Sequence, residues 1–228
     1  MMRKNIIITA DDFGKSAKAN RNILELVKMK KLDRVAVMVD GKISQKEKEE
    51  LMDSGVEIDI HLELDWQKKR RNLLEDNTFH QGMVFLRNYF FCGGKKKVFA
   101  QWAEQIGKFH QIFGQYPDGI NSHEYVHLFP SYFSIALELS KKYGIRYIRI
   151  GRRGFLGSRN LASLTLGILR KMDISKLKQS EVSSSDFFTS LDWIRGMDKF
   201  LEDLPDGETE IAVHPEREEE LEMIKKYF

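Results

Sequence analysis

The fold of this chain is decided by residues 6–14, which read Ile6-Ile7-Ile8-Thr9-Ala10-Asp11-Asp12-Phe13-Gly14. A short run of branched apolar residues is typical of a buried β-strand, and this one stops at two adjacent carboxylates and a glycine. A central strand that is covered on both faces offers no water to a carboxylate, so we expect the pair where the strand leaves the sheet. The alternative is that Asp11 or Asp12 only caps the following helix.

Further apolar segments follow this stretch, and each is separated from the next by a helical pattern or a long connection. We predict strands over residues 34–39, 56–62, 118–121, 145–150 and 210–213. We predict helices over residues 15–31, 43–53, 97–113, 130–143, 158–173 and 216–228. The less regular stretch 151–208 also predicts a weak strand near 178–182 and a helix around 187–203. Such alternation calls for a parallel sheet with helices outside it, either an open doubly wound sheet or a barrel.

The acids and histidines at the strand ends favour one of these two architectures. Each lies at or just past the C-terminal end of a predicted strand, and they are Asp11, Asp12, His61, His123 and His214. A (β/α) barrel gathers the side chains from these ends on one face. We therefore predict an α/β fold, a small distorted TIM-like (β/α) barrel of about seven parallel strands. One domain spans residues 1–228, and the long segment 63–117 is predicted as an insertion or lid over the site.

The bulk composition excludes several functional classes. Lys and Arg number 37 against 34 Asp and Glu, a net charge of +3, and the basic residues are spread along the chain, so we expect no nucleic acid partner. The basic runs Lys68–Arg71 and Lys95–Lys97 are interpreted as solvated loops, with an anionic substrate as the alternative. Cys92 is the only cysteine, so a Cys-based zinc site is excluded.

The apolar runs of the sequence also bear on where the protein resides in the cell. The N-terminal apolar run is too short for a signal-peptide core, and no segment approaches the roughly eighteen apolar residues of a membrane-spanning helix. We expect a soluble, cytoplasmic protein without an integral membrane segment. The sequence leaves the oligomeric state open, a homodimer included.

One carboxylate with imidazoles from separate strands is a ligand set for zinc, magnesium or manganese. A bound ion lowers the pKa of its water, and a second carboxylate nearby can take the proton. Successive residues of a strand point to opposite sides, so Asp11 and Asp12 can serve one site only where the backbone turns.

His123 and His127 would be about 6 Å apart on a helical turn and about 13 Å apart on a strand. We expect an irregular turn there, with one histidine a ligand and the other beside the substrate; a capping or core histidine is the alternative.

Four motifs of the chain carry a resemblance to a known family. They are TADDFG at Thr9–Gly14, IHL at Ile60–Leu62, SHEYVHLFP at Ser122–Pro130 and VHP at Val213–Pro215. In this order they resemble the signatures of the YdjC family of carbohydrate deacetylases, which includes chitooligosaccharide deacetylases. The resemblance implies a distorted (β/α) barrel. It also implies metal-dependent hydrolysis that removes an acetyl group from an N-acetylated sugar or oligosaccharide.

The resemblance also implies roles for single residues. Asp12, His61 and His123 would bind one divalent metal ion, Mg²⁺ or Zn²⁺. Asp11 would be the general base, and His214 would act as an acid or hydrogen-bond donor.

Three further residues are candidates for substrate contacts. His127 matches a family histidine, and Tyr125 stands where relatives commonly have another histidine, so the inner substrate contacts of this chain differ from those of the family pattern. Arg149, at the end of the fifth predicted strand, resembles a family arginine that could contact substrate or orient a carboxylate; a structural ion pair is the alternative.

Two other functions stay open at this point. The same metal set could serve a phosphoesterase, with the basic residues Lys68–Arg71 holding phosphate. The second alternative is a sugar-binding relative that keeps the fold without catalysis, and the replacement of a family histidine by Tyr125 is the only feature of the sequence that suggests it.

Overall fold

Eight parallel strands form one curved sheet in the computed structural model, which describes residues 5–73, 94–157 and 161–228, without the side chains of 70–73 and 161–163. The strands are β1 (Ile6–Phe13), β2 (Arg34–Val37), β3 (Glu57–Leu62), β4 (Gly119–Ser122), β5 (Tyr147–Ile148), β6 (Gly154–Phe155), β7 (Phe187–Ser190) and β8 (Thr209–Val213). Their order is β5-β4-β3-β2-β1-β8-β7-β6, so β1 lies near the middle. Every pairing in this sheet is parallel, which confirms the predicted α/β class.

Helices cover the outside of the sheet. They are α1 (Ala17–Lys28), α2 (Gln45–Met52), α3 (Asp65–Leu73), α4 (Lys95–Phe113), α5 (Pro130–Tyr143), α6 (Leu161–Lys178), α7 (Met197–Glu202) and α8 (Glu218–Tyr227). Two 3₁₀ segments, His123–Leu128 and Leu191–Trp193, follow β4 and β7. Among the described residues, no helix is both long and apolar enough to cross a membrane.

The sheet is a half-barrel with two edges rather than a closed ring. Its edge strands β5 and β6 have two residues each, and each pairs with one neighbouring strand. The predicted strand over 145–150 is therefore reduced to its middle, because β5 pairs only with β4 through Tyr147 and Ile148. The predicted count of about seven strands is one short of the eight observed.

Two predictions for the stretch 151–208 are wrong. The helix predicted around 187–203 begins instead as strand β7, and within that range only Met197–Glu202 is α-helical. The two phenylalanines of β7 suit a half-buried pleated surface, and the strand pairs with both β6 and β8, so sheet pairing prevails over a weak helical pattern. The weak strand predicted near 178–182 is the end of α6 and a turn, with one isolated bridge at Ser183.

The described part of the segment predicted as a lid contains two helices, α3 and α4. The second, α4, packs against β3 and α5 and buries Trp102 and Phe109 completely, so it belongs to the helical layer that covers the sheet. The remaining part of the predicted lid, residues 74–93, lies outside the described residues.

Candidate active site

A cleft of about 240 Å³ lies at the carboxyl edge of the sheet, where β1, β3, β4 and β8 end. It is lined by Asp11, Asp12, Lys15, His61, Ser122, His123, Glu124, Tyr125, Ser190, Asp192, Trp193, His214 and Arg217. Parallel strands bring their carboxyl ends to the same edge, which is why residues from four separate motifs meet here. Of the predicted site residues, His127 and Arg149 do not line this cleft.

A β-bulge brings both acids of β1 to the cleft. Between Ala10 and Phe13 the strand advances three residues while β2 advances two, and Asp12 has a left-handed φ of 70°. The bulge breaks the alternation that would otherwise turn Asp11 and Asp12 to opposite faces. Neither acid caps the next helix, because the N-cap of α1 is Ser16, whose hydroxyl accepts a hydrogen bond from the backbone of Ala19.

Asp12, His61 and His123 could hold a metal ion. One ligand atom from each lies within 4.8 Å of the others, and Asp12 Oδ1 is 3.3 Å from both His61 Nε2 and His123 Nδ1. This Oδ1 atom is buried and receives no hydrogen bond from a described residue. An unsatisfied carboxylate oxygen between two imidazole nitrogens suits a divalent cation. Burial raises the pKa of Asp12, but His123 and His61 outweigh it and hold that pKa well below its usual value.

Two amide side chains orient the histidines of this set. The Asn121 Oδ1 atom accepts a hydrogen bond of 2.5 Å from His61 Nδ1, which leaves Nε2 as the ring atom available to a metal ion. Gln67, on α3, donates to the backbone oxygen of His123 at 3.0 Å and to Glu124 at 3.1 Å. The Asn121 contact fixes the orientation of the His61 ring, and the Gln67 contacts fix the backbone that carries His123.

Arg149 binds the other acid of the pair from inside the sheet. Its Nη1 and Nη2 atoms donate to the two oxygens of Asp11 at 2.7 and 2.8 Å, and its Nε donates to Glu210 at 2.7 Å. Burial raises the pKa of Asp11, but the charge of Arg149 outweighs it, so the pKa is lowered and the carboxylate stays ionised. Of the interpretations open for Arg149, the contacts support orientation of a carboxylate.

His214 has an acidic partner on α8. The Oε2 atom of Glu220 accepts a hydrogen bond of 2.7 Å from the His214 backbone and lies 3.6 Å from the ring Nδ1. Burial lowers the pKa of His214, but Glu220 and the nearby charges of Asp12 and Asp11 outweigh it, so the pKa of the imidazole is raised. A histidine that holds its proton more strongly is suited to donate it to a leaving group.

An irregular turn separates the two histidines after β4, as predicted. Glu124 and Tyr125 both have left-handed backbones, with φ of 54° and 55°. Residues other than glycine rarely adopt this conformation, and its strain is typical of functional sites. The turn leaves His123 at the cleft and directs His127 into the core.

His127 is completely buried, and both ring nitrogens are occupied. Nε2 lies 2.7 Å from the Arg149 backbone oxygen and therefore carries the proton, while Nδ1, at 2.7 Å, accepts from the Ser122 hydroxyl. Burial lowers the pKa of His127 to about 3, so the ring is neutral. The predicted substrate contact of His127 is replaced by a core contact, because the double left-handed turn carries the side chain inward.

Tyr125 belongs to an aromatic wall on one side of the cleft. Its ring lies 5.4 Å from that of Phe188 and 5.8 Å from that of Trp193, and Phe155 packs against the same two rings. Burial raises the pKa of Tyr125, so its hydroxyl keeps its proton at neutral pH. The wall offers an apolar surface with a hydroxyl donor, a combination that suits a sugar or an acetyl group.

Sequence reasoning missed the partners that orient the site. Asn121 and Gln67 hold the histidines, Glu210 holds Arg149, and Glu220 holds His214. Asn121 lies two residues before His123, and this proximity in sequence is a signal that could have found it. The basic runs interpreted as solvated loops lie instead in helices, residues 68–71 in α3 and residues 95–97 in α4. Lys68 binds Asp40 at 2.5 Å and does not line the cleft.

A family model described as YdjC-like protein matches residues 5–226, from the first strand to the last helix. The chain belongs to the YdjC-like family. This assignment confirms the resemblance carried by the four motifs. Among the relatives of this YdjC-like chain, a carbohydrate deacetylase of Mus musculus is 24% identical over 68% of this chain and 53% of its own length. A chitooligosaccharide deacetylase of Escherichia fergusonii is 26% identical over 84% of this chain and 76% of its own length.

The chain spans about half the length of the vertebrate carbohydrate deacetylases it matches, with 53% for mouse and 49% for Danio rerio. A solved structure from Enterococcus faecalis, of a protein named for cellobiose-phosphate cleavage, superposes with a TM-score of 0.61. It is 21% identical and covers 92% of this chain and 80% of its own. At this sequence identity, the structural similarity shows only that the two chains share a fold.

Proposed function

We propose that this protein is a metal-dependent carbohydrate deacetylase that hydrolyses the acetamide of an N-acetylated sugar or oligosaccharide. The observation that carries the proposal is the convergence of Asp12, His61 and His123 within 4.8 Å, beside Asp11, whose pKa is lowered, and His214, whose pKa is raised. Membership of the YdjC-like family and the names of its relatives support the same substrate class.

Asp12, His61 and His123 would hold one divalent ion, Mg²⁺ or Zn²⁺. When bound there, the ion supplies a Lewis acid and a water of lowered pKa. Asn121 keeps the Nε2 lone pair of His61 directed toward this position. The two imidazoles and single carboxylate also suit zinc more than a set of oxygens alone would.

Asp11 acts as the general base in this proposal. Arg149 fixes the plane of the carboxylate through two parallel hydrogen bonds, and each oxygen keeps another lone pair that can accept the proton of the attacking water. The proton-transfer geometry is therefore set before substrate arrives, which is the main contribution that a rigid buried pair can make.

His214 donates a proton to the amine as the C–N bond breaks. Glu220 stabilises the protonated imidazole, and the partly exposed ring lies in the cleft. The products are acetate and the free amino sugar. Tyr125 and Trp193 form the apolar side of the cleft against which the sugar or its acetyl group packs.

Acetate release from N-acetylglucosamine oligosaccharides, with added Zn²⁺ or Mg²⁺, tests the proposal. We expect activity in the wild type and a loss of at least about a hundredfold in Asp11→Asn and His61→Ala, because each removes a group used in the reaction. His110→Ala is the matched control, since His110 is exposed on α4 and contacts Tyr116 outside the cleft. Wild-type-like activity in Asp11→Asn or His61→Ala would exclude the assignment.

A further inference from the structure

Lys15 is a cation beside the candidate metal ligands, and the proposed reaction does not use it. Its Nζ atom lies 3.0 Å from Asp12 Oδ2 and 3.0 Å from Glu216 Oε2, and 29% of the side chain is exposed. The opposite oxygen of the same carboxylate, Asp12 Oδ1, faces His61 and His123. The two oxygens of Asp12 are thus divided between an ammonium and two imidazoles.

The position of Lys15 is set by the surrounding backbone. Its amide donates to the Asp12 backbone oxygen at 3.0 Å, in the turn that follows the bulge. Its second partner, Glu216, is held from the other side by the Ser16 hydroxyl at 2.6 Å. The loop after β1 and the loop after β8 therefore hold the ammonium between two carboxylates at the edge of the cleft.

We propose that Lys15 weakens and shapes divalent-metal binding at Asp12, His61 and His123. Lys15 competes with a metal ion for Asp12 Oδ2, which leaves Oδ1 as the favoured ligand atom. The positive charge of Lys15 also repels the ion across a partly dry cleft. Glu216 offsets part of that charge. The expected consequence is a metal ion that exchanges with solution instead of staying permanently bound. This inference rests on the proposed metal site.

The test is Zn²⁺ affinity, measured on the purified full chain by competition with a chromophoric chelator. Lys15→Met should bind Zn²⁺ roughly tenfold more tightly or better, because a neighbouring positive charge is removed. Lys15→Arg keeps the charge and should stay within about threefold of wild type. Glu216→Gln should bind more weakly, since Lys15 then keeps its charge without the compensating carboxylate. Circular dichroism confirms that each variant is folded.

A second readout uses Co²⁺ in place of Zn²⁺. If Lys15→Met frees Asp12 Oδ2, two-oxygen coordination becomes possible, and the visible absorption of bound Co²⁺ should lose intensity as the coordination number rises. Unchanged or weaker Zn²⁺ binding in folded Lys15→Met would overturn the inference and show that Lys15 only positions Asp12.

The two proposals fail in different ways. If the wild type binds Zn²⁺ and releases acetate, while Lys15→Met binds no more tightly, only the inference on Lys15 is wrong. If the affinities shift as expected without acetate release, the inference holds and the deacetylase proposal is wrong. If the wild type binds neither Zn²⁺ nor Co²⁺, both are overturned.

Discussion

At the scale of single residues, the chemistry of His214 depends on an acid six positions further along the chain. Glu220 lies on α8 with only 5% of its surface exposed, and its carboxylate accepts the His214 amide and faces the ring. The proposed reaction needs the imidazole protonated, so activity is lost as pH rises through the His214 pKa. Because Glu220 raises that pKa, it extends the active range toward alkaline pH.

Glu220→Gln should therefore move the alkaline limb of the pH profile of acetate release to lower pH. The neutral amide still accepts the His214 backbone hydrogen bond but no longer favours the charged ring. Measurement of the rate against pH checks this. Glu219→Gln, an exposed acid on the same helix, is the control and should leave the limb in place. An identical limb in Glu220→Gln would show that His214 is not the donor.

At the scale of elements, the bulged end of β1 depends on the close approach of two loops. A Cβ atom at Gly41 would lie 2.0 Å from the Gly14 backbone oxygen, which also accepts the Lys42 amide at 2.8 Å. Gly14 itself has a φ of 98° and a Cβ there would meet the Met38 oxygen at 2.6 Å. These contacts hold the turn that places Asp12 in the cleft.

Gly41→Ala should destabilise the protein by about 1–3 kcal/mol, because the added methyl group must push the two loops apart. Urea unfolding measures this, and acetate release should fall as well because the loop positions Asp12. The matched control is Gly107→Ala in α4, where a Cβ meets nothing within 4 Å. That change should raise the free energy of unfolding by about 0.5–1 kcal/mol. Equal stability of the two variants would contradict the packing argument.

At the scale of the whole molecule, the described part of the curved sheet holds Arg149 and Arg34 on its inside, each bound to buried carboxylates. Arg149 binds Asp11 near the carboxyl edge, and Arg34 binds Asp59 through two hydrogen bonds of 2.6 and 2.9 Å nearer the amino ends of the strands. The Tyr147 hydroxyl donates to Glu210, and the Arg34 guanidinium stacks over the Tyr147 ring at 4.2 Å. Polar contacts therefore continue from one end of the sheet to the cleft.

Replacing each arginine by lysine should separate stability from catalysis. Both Arg149→Lys and Arg34→Lys lose a two-hydrogen-bond contact, which should cost about 1.5–3 kcal/mol of stability in urea unfolding. Only Arg149→Lys should also lower acetate release, by roughly tenfold to a hundredfold, because it misplaces the proposed base. A matching loss of activity in folded Arg34→Lys would mean that the effect is structural.

The site residues that could be predicted are those whose position follows from the local sequence pattern. Asp11, Asp12, His61, His123 and His214 each stand at or just past the end of a predicted strand, so their placement could be inferred one segment at a time. Closely spaced residues were harder to place. The backbone turn that takes His127 into the core depends on two left-handed residues, which no pattern in the segment indicates.

The sequence by itself determined a parallel sheet and the acids and histidines at its carboxyl edge, because apolar runs and their ends are local properties. Only the tertiary structure decided which groups they meet. Arg149 reaches Asp11 across 138 residues and Glu210 across 61, and β7 became a strand because β6 and β8 flank it. Contacts between distant segments arise when the sheet curves, and they control the charge and orientation of each group at the site.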